Sequence, residues 1–134
     1  MQLNITTDYA IRIVLCVAIQ HQASAASVCL AMGIPLEYTR KVAHQLKEAN
    51  ILHVDRGSHG GYSLARKPED ISLFDIVDYM EGTTRINRCL EPDHFCSRNG
   101  TETCPVRKYY EELQSKFDET LHSVTIAQLT ESCG

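Results

Sequence analysis

Three cysteines, Cys89, Cys96 and Cys104, stand with six and seven residues between them in a stretch that has no helical or strand periodicity. Thiolates are soft ligands suited to iron–sulfur clusters, zinc or copper(I). The tight C-x2-C spacing of structural zinc is absent. Wide spacing on a loop can wrap a larger inorganic unit. The spacing alone leaves three chemistries open: a cluster, a zinc ion held by the three thiolates and His94, and redox thiols of which two form a disulfide. A fourth ligand close in sequence would be Asp93, His94 or Glu102.

The chain has six cysteines in 134 residues, and the other three read differently. Cys16 lies in the apolar run Arg12–Ile19 and Cys29 in Ser27–Ala31, where each is most simply a small buried hydrophobe. Cys133 is expected in a frayed end. The first residues, Met1 to Asp8, show no basic n-region and no small-residue cleavage site, which predicts a cytoplasmic, reducing location. In that compartment clustered cysteines bind metal or sense redox state more often than they form structural disulfides. No apolar run approaches the roughly 18 residues of a membrane span, so no membrane partner is expected.

The elements that must position these thiols follow from pattern. Ile5–Ile19 reads as a buried helix with Thr6 or Thr7 as N-cap and Asp8 in its first turn. Ala25–Met32 is a short helix closed by Gly33, and Pro35 opens another, with Leu36, Tyr38/Thr39, Val42, Ala43, Leu46 and Ala49 at helical spacing. Two short helices joined by Met32-Gly-Ile-Pro35 form a helix-turn-helix pattern. Ile51–Arg56 and Tyr62–Ala65 are strands about the turn Gly57-Ser-His-Gly-Gly61, a wing. Ser72 caps a helix with Asp75 at N3 and Gly82 at its end. After the aperiodic 83–103 stretch, Pro105 as N1 residue opens one long helix, with Val106, Tyr109/Tyr110, Leu113, Phe117, Leu121 and Val124 on one side. The expected fold is mainly α with a small β-hairpin wing: a winged helix-turn-helix over residues 1–82, a cysteine-bearing sensor loop over 83–104, and a dimerisation helix and tail over 105–134.

Charge agrees with a nucleic-acid reader at one end. The net charge is −4, yet residues 1–67 carry seven basic against four acidic side chains, and residues 68–134 carry six against thirteen. In a winged helix the second helix of the motif enters the major groove and the wing reaches the neighbouring minor groove or backbone. The expected contact set is Tyr38, Thr39, Arg40, Lys41 and His44 from the helix and Arg56, Ser58, His59 and Gly60 from the wing. Arg40 is the first candidate for a base reader and Arg56 for a narrow minor groove. No C-x-x-C motif, Ser/His/Asp signature or phosphate-binding Gly-rich loop supports an enzyme.

Several of these segments together are similar to a known family. Thr7-Asp-Tyr-Ala-Ile-Arg12, the wing Arg56-Gly-Ser-His-Gly-Gly-Tyr-Ser-Leu-Ala65, Pro68-Glu-Asp-Ile-Ser-Leu-Phe-Asp-Ile-Val77, the three loop cysteines and Thr125-Ile-Ala-Gln-Leu129 resemble the Rrf2 family of bacterial transcription regulators. The resemblance runs through nearly the whole chain. It implies a homodimer that binds a double-stranded operator, usually as a repressor, with affinity switched by an iron–sulfur cluster ([2Fe–2S] or [4Fe–4S]) on Cys89, Cys96 and Cys104. Some members place a histidine three residues after the last cysteine, where this chain has Arg107. Members resembling nitric-oxide sensors use an aspartate in the first helix of the partner subunit, and Asp8 matches that position. The implied signals are nitric oxide, oxygen or redox state, or iron–sulfur status. The alternative within gene regulation is a cluster-free thiol/disulfide sensor.

Overall fold

The computed structural model describes residues 1–57 and 60–133. Among the described residues six α-helices and one hairpin follow one another: α1 (Ile5–Gln20), α2 (Ala25–Met32), α3 (Leu36–Glu48), β1 (Leu52–Asp55), β2 (Gly61–Leu64), α4 (Leu73–Glu81), α5 (Arg107–Ser123) and α6 (Ile126–Cys133). The mainly helical winged fold expected from the sequence is the one observed. No helix among the described residues is long and apolar enough to cross a membrane.

α1 is the central element because it is apolar on nearly every side. Ala10, Ile13, Val14, Cys16 and Val17 are buried, and the helix packs against α2, α3, α4, α6 and β2. A helix apolar all round must be wrapped by others to keep its side chains from water. Its N-cap is Asn4 rather than Thr6 or Thr7, and Thr7 is instead buried with its hydroxyl donating to the Glu81 carboxylate. α2 begins where Ser24 Oγ accepts from the Ser27 amide, and it ends at Gly33 in the left-handed region. The αL cap lets the chain reverse into α3, whose inward stripe is Thr39, Val42, Ala43 and Leu46.

The wing is antiparallel, with Leu52 opposite Leu64 and Val54 opposite Tyr62. Ala23 adds a backbone bridge to Tyr62, through N–O distances of 3.0 and 2.7 Å, which ties the hairpin to the α1–α2 connection. At Gly60 a side chain could not be accommodated, since a Cβ there would lie 2.3 Å from the Asp55 carbonyl oxygen.

α4 starts with a full capping box: Asp75 N–H donates to Ser72 Oγ at 3.2 Å and Ser72 N–H to Asp75 Oδ2 at 3.0 Å. Ser72→Ala is expected to cost about 1 kcal/mol of stability, the usual worth of a serine cap, read as a lower urea midpoint with unchanged slope.

The C-terminal third departs from the expected single helix. Pro105 and Val106 form a turn, and α5 begins at Arg107. It stops at Ser123 because Val124 is extended, and the chain then pairs with the start of α4. Leu73 N–H donates to the Val124 carbonyl and Ile126 N–H to that of Ile71, both at 2.9 Å. α6 then begins with a second reciprocal cap, Gln128 N–H to Thr125 Oγ1 at 3.3 Å and Thr125 N–H to Gln128 Oε1 at 3.1 Å. Ile126 is fully buried, so residues 126–133 return to pack against α1, and Cys133 ends a helix rather than a frayed tail.

Candidate functional site

The helix-turn-helix and the wing present two neighbouring surfaces. Tyr38, Arg40, Lys41 and His44 are exposed on α3. Arg40 lies close enough to the wing for its charge to oppose the upward push that burial gives the Tyr62 phenol. His44 Nε2 is 3.2 Å from Glu48 Oε1 along the same helix. Thr39 does not share this face. It is fully buried, with its hydroxyl donating to the Pro35 carbonyl at 3.1 Å, so it is a core residue and not a contact. Arg56 is exposed at the end of β1, Gly60 lies in the turn, and Ser58 and His59 fall outside the described residues.

The N-terminal turn of α1 touches this reading head. Asp8 pairs with Arg12 at 2.5 Å and both side chains are half exposed. Arg12 also donates to the Met32 carbonyl at the end of α2, 3.2 Å away, and its guanidinium lies 5.6 Å from the Tyr9 ring centroid. Tyr9 meets Tyr38 of α3 edge to face, with centroids 5.9 Å apart. A continuous set of contacts therefore runs from Asp8 to the exposed face of α3.

The thiols occupy a separate place. Among the described residues Cys89, Cys96 and Cys104 line one cavity of about 290 Å³ together with Phe95, Arg107 and Tyr110. All six cysteines are free thiols. Cys16 is buried, and its burial pushes the thiol pKa up, consistent with an inert core residue. Cys29 is half exposed rather than buried. The Cys96 thiol is pulled the other way, below the ordinary value, chiefly by hydrogen bonds from the Gly100 and Arg98 amides. Asn87 Nδ2 lies 3.4 Å from Cys89 Sγ.

The segment carrying the thiols is held from α5. Gln114 is buried; its Nε2 donates to the Thr84 carbonyl at 2.9 Å and its Oε1 accepts from the Ile86 amide at 2.7 Å. A short 3₁₀ turn over Arg88–Leu90 follows, and Arg88 grips both oxygens of Asp93 at 2.5 and 2.6 Å. That pairing holds the Asp93 carboxyl down at about 2. Asp93, His94 and Glu102, the local candidates for a fourth ligand, line a neighbouring cavity that they share with Cys96, not the three-thiol cavity. Among the described residues no three His, Cys, Asp or Glu side chains converge closely enough to hold a single metal ion.

The donor set nevertheless fits a sulfur-rich group. Three soft thiols surround one cavity, and beside them the Nε of Arg107 is buried without a hydrogen-bond partner in the structure. A buried donor without an acceptor is costly, and a thiolate or sulfide in the cavity would supply one. In the sequence Arg107 stands out solely as a departure from a family pattern, and Gln114 carries no local signal, since nothing but its position on α5 singles it out.

The family model described as an iron-dependent transcriptional regulator, Rrf2, matches residues 3–132. The chain belongs to the Rrf2 family. An Rrf2-family regulator binds DNA to control transcription, and this chain is such a regulator and not an enzyme. Its sequence is similar to the HTH-type transcriptional regulator NsrR of Shouchella clausii, 26% identical, with 96% of this chain and 88% of that one covered. The fold is that of CymR (YrzC), the global cysteine regulator of B. subtilis, at a TM-score of 0.82 and 21% identity, covering 98% of both chains. The T. potens IscR structure follows the same Rrf2 fold at a TM-score of 0.75 and 22% identity, covering all of this chain and 89% of that one.

Proposed function

We propose that this Rrf2-family chain is a homodimeric repressor whose operator affinity depends on an iron–sulfur cluster held by Cys89, Cys96 and Cys104. The observation that carries this reading is the single cavity lined by all three thiols, from which Asp93, His94 and Glu102 are absent. The family's description as iron-dependent supports it. With no carboxylate or imidazole lining the cavity among the described residues, the fourth ligand in this reading is Asp8 of the partner subunit. Cys89, Cys96 and Cys104 would hold the cluster from one loop, and an Asp8 carboxylate, a weaker ligand to iron than a thiolate, would keep the site reactive toward nitric oxide or oxygen.

The remaining steps belong to the chain itself. Val106 in the turn before α5, and Tyr109 and Leu113 on the N-terminal half of α5, are 43, 54 and 56% exposed, whereas Leu121 near the helix end is buried. The N-terminal half is thus an apolar surface for the second copy, next to the thiol segment. Asp8 cannot serve a partner's site and keep its full pairing with Arg12. When Asp8 is drawn away, Arg12 re-partners and its contacts with Met32 and Tyr9 change. Tyr9 transmits that change to Tyr38 on α3, which biases the spacing of two reading heads.

Anaerobic purification tests the proposal. Stoichiometric iron and acid-labile sulfide, a visible charge-transfer band, a cluster Mössbauer spectrum, and operator affinity that changes on exposure to nitric oxide or oxygen are expected. Sulfide-free protein that forms a disulfide on oxidation would replace the cluster with a thiol switch. A second expectation concerns the wing. Arg56→Ala should weaken operator binding and lower the slope of log K against log salt by about one unit, as loss of one phosphate contact does. An unchanged slope in titrations at several salt concentrations removes Arg56 from the interface.

A further inference from the structure

Arg107 is the first residue of α5 and lies under the thiol segment, with its side chain 18% exposed. Its guanidinium is gripped at both ends. Nη1 donates to Glu111 Oε1 at 2.6 Å, and Nη2 lies 3.5 Å from the Cys89 carbonyl oxygen and 3.4 Å from His94 Nδ1. A planar fork fixed through both terminal nitrogens has its third direction fixed too, which a flexible lysine ammonium would not. That third donor, Nε, is buried and has no partner.

The residue also lines the three-thiol cavity, where Cys89, Cys96 and Cys104 are the soft acceptors and, among the described residues, no carboxylate is present. We infer that Arg107 Nε–H is a hydrogen-bond donor to sulfur in the cluster site, either a ligating thiolate or a cluster sulfide, and that it sets the reduction potential there. This rests on the cluster reading above. Hydrogen bonds to cluster sulfurs and nearby positive charge both favour the more reduced, more negative state. Glu111 offsets part of the guanidinium charge, so the directed N–H rather than the net charge is the larger influence. Arg107 would be a positioning and tuning residue, since it contributes no bond to iron.

Two variants separate these contributions. Arg107→Lys keeps the positive charge and the reach to Glu111 but lacks Nε–H; Arg107→Gln removes the charge as well. Anaerobically prepared wild type and both variants are compared by iron and sulfide content, redox titration and resonance Raman spectra. Wild-type iron and sulfide in both variants, a midpoint potential shifted to more negative values in both, and altered Fe–S stretching bands are expected. Loaded Arg107→Lys with the wild-type potential and the wild-type bands overturns the proposal while leaving the cluster reading intact. So does loss of iron from Arg107→Lys, because that assigns Arg107 to holding the segment together. Wild-type protein that carries neither iron nor sulfide brings down the cluster reading, and this inference with it.

Discussion

Cys96→Ala is expected to lower bound iron and sulfide to background and to make operator affinity identical before and after exposure to nitric oxide or oxygen. Cys96 is the strongest single choice of the three thiols. It lines the shared cavity, and the Gly100 and Arg98 amides favour its thiolate. Both hydrogen-bond donors belong to the backbone of the loop, so the side chain can be removed without removing a core residue. Ligand-controlled affinity changes in regulators typically span about 5–150-fold, and the variant should compress that ratio to about one. The measurement is a pair of operator titrations for wild type and variant, each before and after treatment, with iron and sulfide assayed on the same samples. A variant that still responds with wild-type amplitude would place the switch elsewhere in the molecule.

Arg40→Ala is expected to cost about 1–3 kcal/mol of discrimination per half-site, or roughly 5- to 150-fold, if its guanidinium pairs with a guanine edge. The residue is exposed on α3 and close to the wing through its influence on Tyr62, so a duplex meeting both elements passes beside it. The decisive comparison is between operator and unrelated duplex at one salt concentration. A base reader loses affinity for the operator and little for unrelated DNA; a phosphate contact loses the same factor on both. Lys41→Ala is the internal reference for the second behaviour. In a dimer both half-sites lose the contact together, which enlarges the effect on the intact operator.

Thr39 shows where helical pattern and chemistry compete. Its hydroxyl and its place between Tyr38 and Arg40 make it a plausible contact, yet its spacing to Val42, Ala43 and Leu46 belongs to the inward stripe, and it is buried there. The stripe decides, because leaving the stripe would expose the apolar residues around it. Thr125-Ile-Ala-Gln128 is a similar case. Its capping-box spacing is present in the sequence, but an apolar series continuing through Val124 extends the reading as one helix past the point where the chain turns.

What the sequence by itself determined is the set of features governed by neighbouring residues. Gly33 closes α2, Ser72 with Asp75 and Gly82 bound α4, and the glycines between Arg56 and Tyr62 set the hairpin. Each depends on backbone conformation or on hydrogen bonds within about one turn, so the residue types suffice. The family was legible for the same reason: its motifs are patterns of type and spacing.

Only the tertiary structure decided which groups share a cavity. Residues 93 and 94 are closer in sequence to Cys96 than either other thiol is, yet they line the adjoining cavity, because Arg88 holds Asp93 and Arg107 lies against His94. The structure also decided that α6 returns to α1, that Gln114 anchors the start of the thiol loop, and that Arg107 keeps one donor without an acceptor beside the thiols. Burial and hydrogen-bond satisfaction depend on residues that meet only after the chain has folded, and no local pattern records them.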